Sequence, residues 1–363
     1  MNAKKMMVLG ILMLMVLGLA MPVASQPAAS KSQLKEQQWR FSNFLPPPHW
    51  SNWCNSFLLD EIEKRTNGKI KTRLYVGEAL GKAAEHYSMV VTGRAEIGEL
   101  TTGFAPGTFP LCDVLKLPFT WNSALEGSFV AGNLLRNGYL DETLRKDVKT
   151  IAINMTIPLK IWTKKPVSTL DGLKGLRLRV SGGLDVQTIE ALGINAIAMP
   201  LPEVYPALEK GVIDGGVYGE ENAVDFKYAE VAKYMIDLPL CYAVHLIFLN
   251  KKVWDSLPKD TQSTLEEAFL QTEIHWGETV DVLVRERHKT ILREKYGYKV
   301  VDIAPAEIEK IKAATSRVKD DWIANMEKKG LPGKKNYDAM ITAMKNYGII
   351  LNQTWMKNRA LGK

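Results

Sequence analysis

Two arginines stand two residues apart in the segment GLRLRV at 175–180. A guanidinium offers a planar fork that matches a carboxylate through two parallel hydrogen bonds, and it stays charged at any physiological pH. On a strand, Arg177 and Arg179 share one face, while Leu176, Leu178 and Val180 take the other. Such a face is either a solvated edge or an anion site. Ser181, Gly182 and Gly183 favour the site, because a glycine-rich turn from strand to helix lets a ligand approach backbone N–H groups closely. The stretch PLPEVYPALEKGVIDG at 200–215 follows. Pro200 and Pro202 start a helix, Glu203 lies in its first turn and Gly211 stops it. A strand then carries Tyr218 at its carboxyl end, where it either reaches into a crevice or remains a surface or hinge residue. These residues can bind a small anion, and none of them is a group that would transform it.

Signatures of catalysis do not accompany the arginines. The chain has no G-x-S-x-G elbow and no G-x-G-x-x-G turn, and Gly81-Lys82 lacks the spacing and the hydroxyl residue of a phosphate loop. His275 and Glu278 are three apart on a helix face, as two metal ligands would be, but without a further ligand nearby they read as a solvated pair. The expectation is a binding protein that is not an enzyme and carries no cofactor and no metal.

Alternating strand and helix patterns position these residues, which makes the fold class α/β. Strand-like 39–44 leads to Pro46, Pro47 and Pro48, then to a helix with Trp50, Trp53, Phe57, Leu58 and Ile62 on its apolar face. Open sheets bind ligands beyond the carboxyl ends of their strands, which directs attention to the loops 43–50, 77–86 and 99–104. Their candidate contacts are Phe44, His49, Glu85 and Thr102. His245 lies on a strand-like segment, 242–249, that crosses between lobes. An organic acid also needs apolar walls, for which Trp162 is a candidate, although most tryptophans belong in a core. The middle of the chain restarts the pattern near Pro158 and leaves it near Pro239. The reading is a first lobe of 38–157, completed by 242–280 and 334–360, and a second of 158–241, completed by 281–333. A proline-free stretch, 259–296, keeps helical period and is long enough to span both lobes through an interlobe cleft.

The ends and the composition bound the setting. Lys4 and Lys5 precede an apolar run at 6–20, and Pro22, Val23, Ala24 and Ser25 follow. This reads as a signal peptide, 1–25, cleaved near Ser25, since the run is shorter than the roughly 20 residues a membrane span needs. Export to the periplasm is expected. A net charge of +7 over 363 residues, without basic blocks, does not point to nucleic acid as a partner. Cys54, Cys112 and Cys241 match no metal spacing, and both one disulfide with a free thiol and three separate buried thiols remain open.

Five segments carry a family resemblance: LKGLRLRVSGG (173–183), EVYPALEKGVIDGGV (203–217), FKYAEVAKYM (226–235), GFAPGTFPLCDVLKLPF (103–119) and FLNKKVWDSLP (248–258). In this order they resemble the DctP-type solute-binding subunits of tripartite ATP-independent periplasmic (TRAP) transporters. The resemblance implies a two-lobed periplasmic-binding-protein fold and a long helix across both lobes. It also implies a carboxylate ligand paired with Arg179, and delivery to the small and large permease subunits, driven by an ion gradient, most often sodium. It places Arg177 on a variable position that faces solvent. Family members that bind sialic acid or C4-dicarboxylates have a second arginine where this chain has Leu159, beside Lys160, and tend to have asparagine where it has Tyr218. That departure implies a monocarboxylate with an apolar or aromatic body. Glu221 matches a family glutamate that either accepts a ligand hydroxyl or ammonium or caps the helix after it. A sensor presenting the acid to a membrane kinase, or an enzyme on a binding-protein scaffold, is the alternative.

Overall fold

Trp39 and Phe41 are buried from β1 (Gln37–Ser42) while Gln38 before them is exposed and Arg40 between them half-buried, the period-two pattern of a strand covered on one face. The computed structural model describes residues 34–349, so the expected signal peptide and the segment 350–360 lie outside the described residues. The strands that follow are β2 (Ile70–Tyr75), β3 (Ile97–Thr101), β4 (Val148–Thr163), β5 (Arg177–Val180), β6 (Asn195–Ala198), β7 (Gly215–Tyr218), β8 (Tyr234–Asn250) and β9 (Lys299–Val301). Among the described residues they form one sheet in the order β2-β1-β3-β8-β4-β7-β5-β6, with β9 also on β8. Parallel β-loop-α units build both flanks, and the antiparallel β4–β8 pair lies between them.

Strands β4 and β8 are 16 and 17 residues long, far beyond an ordinary strand, because each crosses from one flank of the sheet into the other. Their residues around the crossing are buried nearly without interruption, as strands covered on both faces require. Pro158 is tolerated in β4 because the ladder shifts register between Met155 and Pro158, where no amide is needed.

Three apolar cores pack on this sheet. The first holds Trp39, Trp50, Ile97, Met155, Phe248 and Trp276. The second gathers Trp162, Tyr218, Tyr228 and Leu292, and the third Leu178, Val180, Val217 and Ile236. The second and third cover opposite faces of β5 and β7, as alternation demands. The fold is two-lobed, with the first core in one lobe and the third in the other, while the second core lies mostly in the second lobe and takes in Phe44, Leu45 and Ala83 from the first.

The stretch expected as one helix, 259–296, is helical throughout but not uniformly α. It runs as Lys259–Glu278 (α), Thr279–Val284 (π), Arg285–Ile291 (α) and Leu292–Tyr296 (π). In the first π segment Asp281 accepts the backbone N–H groups of Ala124 and Leu125 at 3.0 and 2.9 Å, satisfying donors at the start of the helix Ala124–Arg136. Leu265, Phe269 and Trp276 lie in the first core, and Leu292 and Tyr296 in the second, so the helix joins both lobes.

The buried apolar residues of 281–333 divide among the cores: Val284, Val318, Trp322 and Met326 belong to the first, Leu292 and Tyr296 to the second and Ile311 to the third, with Tyr298, Val301, Ile303 and Ala314 packed against the latter two. The physical anchor is Trp322, whose indole N–H donates to the carbonyl of Pro110 at 3.2 Å. Trp53, expected on the apolar face of its helix, is 42% exposed and lies under the guanidinium of Arg287.

The lobes also meet through a buried ion pair. Lys116 donates to the carbonyl of Gly182 at 3.0 Å, and its ammonium lies 3.1 Å from Asp185, with both side chains buried. Burial disfavours the charged amine, but Asp185 and Asp113 hold its pKa above the ordinary lysine value. Lys116→Met leaves Asp185 buried without its cation, and urea unfolding is expected to show a loss of about 3–5 kcal/mol. Adding Asp185→Leu is expected to recover most of it, and equal losses in the single and double variants would refute the pairing.

Candidate functional site

Arg179 occupies the third position of β5, paired with Ile197 of β6 on one side and Gly216 of β7 on the other. Gly216 is needed there: a Cβ at that position would stand 2.7 Å from the Tyr218 ring and 3.3 Å from the Arg179 Cβ. The absent side chain lets the arginine and the tyrosine lie over the same face. Nε of Arg179 donates to the carbonyl of Met199 at 3.0 Å, while Nη2 is buried and has no protein partner. The guanidinium carbon lies 5.9 Å from the centroid of Phe104. Burial lowers the pKa of Arg179, against the pull of Tyr228, Asp185 and Tyr218, but a guanidinium starts so high that it stays charged.

The cavity in front of this guanidinium lies between the lobes. From the first lobe come Leu45, His49, Thr101 and Phe104, and from the central strands Thr156, Leu159, Ala243 and His245. The second lobe adds Arg179, Ser181, Leu201, Val217, Tyr218, Glu221 and Asn222. Its volume is about 30 Å³, far below the several hundred of an open ligand pocket. This cavity is thus nearly closed. Arg179 is the only lysine or arginine among the lining residues.

Of the sequence candidates, Arg179, Tyr218, Glu221, His49 and His245 line this one cavity. Phe44 and Trp162 do not reach it; they stand behind residues that do. Phe44 packs edge-on against Phe104 at 5.5 Å, and Trp162 stacks on Tyr218 at 5.7 Å while donating to its carbonyl at 3.0 Å. Thr102 is buried one position beyond Thr101, outside the lining. Glu85 lies apart from the cavity: it is exposed, and its carboxylate accepts the Lys82 N–H at 3.2 Å. Arg177 is likewise exposed, held by Asp214 through Nε at 3.0 Å and Nη2 at 2.9 Å.

Both nitrogens of His245 are taken, Nδ1 by Glu99 at 2.7 Å and Nε2 by Thr101 at 3.1 Å. Glu99 in turn accepts from Asn55 at 2.6 Å, so the imidazole is fixed in place as a wall. Nδ1 of His49 is paired with the Ser51 hydroxyl at 2.9 Å. Burial, with His245 and His288 nearby, pushes His49 well below the ordinary imidazole value, which keeps it neutral. The Glu221 carboxyl is raised well above the ordinary range by burial, then by Glu220 and Asp225 beside it. Its surroundings thus favour the protonated form. The Tyr218 hydroxyl is pushed up by burial and has no protein partner.

Sequence reasoning pointed to Ser181 but missed Thr101, Leu201 and Asn222. The signal for Thr101 was present in strand parity, since Glu99, Thr101 and the paired His245 share a face. No local signal marks Asn222, which reaches the cavity only because of how its short helix is seated. Cys54, Cys112 and Cys241 are free and buried, and burial lifts the Cys54 thiol to about 12. Among the described residues no cluster of three or more His, Cys, Asp or Glu could hold a metal ion, and no helix is long and apolar enough to cross a membrane.

The chain is 31% identical over 238 residues to an uncharacterised protein of Haemophilus influenzae, covering 65% of this chain and 72% of the relative. A solved TRAP solute-binding protein from a marine metagenome, described as specific for aromatic acid ligands and bound to metahydroxyphenylacetate, superposes with a TM-score of 0.80 at 25% identity. That match covers 86% of this chain and 99% of the other. A TRAP periplasmic solute-binding protein from Desulfovibrio salexigens matches with a TM-score of 0.73 at 28% identity, covering 86% and 97%. It was solved as an open complex with the C-terminus of a symmetry mate in its ligand-binding site. Residues 48–325 match the sequence model of DctP, bacterial extracellular solute-binding protein family 7, and with the two-lobed fold around a buried arginine they show that the chain belongs to this family.

Proposed function

We propose that this solute-binding protein captures a monocarboxylate with an apolar or aromatic body and delivers it to the small and large membrane subunits of an ion-gradient-driven TRAP permease. It does so from the periplasm, after its leader is removed near Ser25. The observation that carries this reading is the Arg179 Nη2, buried in the interlobe cavity without a partner. A buried charged donor left unpaired is costly, and a ligand carboxylate relieves that cost. One carboxylate suffices, because the cavity offers no second arginine or lysine and Leu159 lines it where another cation would be needed. Leu45, Phe104, Leu201 and Val217 supply walls for an apolar body. The aromatic acid bound by the marine relative belongs to the class proposed.

The transport step follows from geometry without chemistry on the ligand. At about 30 Å³ the cavity does not admit an acid as it stands, so the lobes separate for binding and close on the ligand. A ligand touching both lobes favours the closed form by the contacts that exist only there. The permease then recognises that form and receives the acid unchanged.

Thermal unfolding with benzoate, phenylacetate and succinate tests the ligand class. A monoacid at about 100 times its dissociation constant is expected to stabilise by ~2.7 kcal/mol, with succinate weaker. Arg179→Ala is expected to weaken binding by about 100-fold or more, since truncating one partner of a buried pair costs about 2–5 kcal/mol. Arg177→Ala is expected to leave it unchanged, because its guanidinium is engaged at the surface by Asp214. Undiminished binding by Arg179→Ala would refute the anchor.

Glu221 gives a second check, through pH. Its folded pKa is raised, so its contribution to stability is fully present below the unfolded carboxyl value of about 4.3 and is lost as pH rises through the folded value. Glu221→Gln is permanently neutral and escapes that loss. Urea unfolding at increasing pH is expected to show the variant gaining on the wild type. If the wild type gains instead, Glu221 is ionised in the fold.

A further inference from the structure

Within the cavity, most polar side chains are already satisfied by the protein. The Thr156 hydroxyl donates to the carbonyl of Ile157 at 2.9 Å and accepts the Ala243 N–H at 3.2 Å. The Ser181 hydroxyl donates to Asp185, and His245 is bound at both nitrogens. Four fully buried lining atoms are left without a protein partner: Arg179 Nη2, the Tyr218 hydroxyl, Glu221 Oε2 and Asn222 Oδ1. They differ in what they accept. Arg179 can only donate, and the tyrosine hydroxyl can do either. Asn222 Nδ2 already donates to Glu221 Oε1 at 2.6 Å, which turns the amide so that Oδ1, an acceptor and nothing else, is the atom left over.

A carboxylate presents acceptors alone. It satisfies Arg179 and Tyr218, but it has nothing to give Asn222. We infer that the ligand carries a hydrogen-bond donor besides its carboxylate, a hydroxyl or an amide N–H, which Asn222 Oδ1 accepts, so that the site selects hydroxy or N–H-bearing monocarboxylates over the bare acids. The inference rests on the monocarboxylate reading above and adds the second recognition point to it. Such a group discriminates well, because a site built to bond a ligand hydroxyl is left with a buried unpaired atom by the analogue that lacks it.

The test is isothermal titration of the full-length mature wild type with matched pairs, mandelate against phenylacetate and 3-hydroxybenzoate against benzoate, which place the hydroxyl at different distances from the carboxylate. At least one hydroxy acid is expected to bind tenfold or more tighter than its parent, a difference of about 1.4 kcal/mol. Asn222→Leu is expected to bring that ratio to within about threefold of one, and Arg179→Ala to abolish binding of both members. A ratio near one in both wild-type pairs would overturn the inference, with a water then serving Asn222, and would leave the monocarboxylate reading standing. If none of the four acids binds, that reading falls and takes this one with it. The wild-type ratio decides the matter even if a variant fails to fold.

Discussion

The antiparallel pairing of β4 with β8 is what the remainder of the molecule hangs on. At one end it runs through the first core beside Ile153, Leu246 and Phe248, and at the other it enters the second and third through Trp162, Met235, Ile161 and Ile236. A ladder shared by both lobes limits how they can move. It slips register between Met155 and Pro158 and again between Leu159 and Ile161, on either side of residues that form the cavity wall. Bulges bend strands and interrupt their hydrogen bonds, so bending there breaks the fewest. The place where the lobes flex most cheaply is therefore the floor of the ligand cavity, and opening it separates Leu45 and Phe104 of one lobe from Leu201 and Tyr218 of the other.

Buried cations elsewhere in this chain show by contrast what Arg179 is for. Lys116 has Asp185 and a backbone carbonyl, and Lys160 has Glu220 at 2.6 Å and Asp237 at 2.5 Å. Arg179 has one carbonyl on Nε and no carboxylate. Its position is over-determined all the same, since β5 is paired on both sides and Gly216 leaves it room. A charge held rigidly but incompletely satisfied favours whichever anion completes it, and rigidity ensures that little ordering cost accompanies binding.

How much of this was legible in the sequence depends on the range over which each signal acts. The strand carrying Arg179, the helix after Pro200 and Tyr218 at the end of β7 were legible because glycine, proline and strict alternation act locally. Trp162 was not, since a tryptophan behind a pocket and one in its wall have the same neighbours in sequence; only the stacking on Tyr218 separates them. Glu85 misled for a similar reason: a loop carboxylate near a strand end reads as a ligand contact, whereas here it bonds the turn it belongs to. The division of 281–333 between cores turned on Trp322 meeting Pro110, a contact of more than two hundred residues' separation that no periodicity encodes. Asn222 became visible only through accounting for each buried polar atom, which requires coordinates.

Leu159 and Lys160 show how one strand sets the charge of the site. Successive side chains leave a strand on opposite faces, so Leu159 packs with the third core and the cavity wall while Lys160 shares a face with its cross-strand partner Tyr218. The ammonium of Lys160 is drawn to Glu220 and Asp237 and contributes no free cation to the ligand. It pairs with Glu220 but leaves Glu221 next to it, buried and without a cation, so that burial raises the Glu221 pKa and favours its protonated form. The cavity is then left with the single positive charge of Arg179, which one carboxylate neutralises and a second would exceed in a medium that cannot screen it.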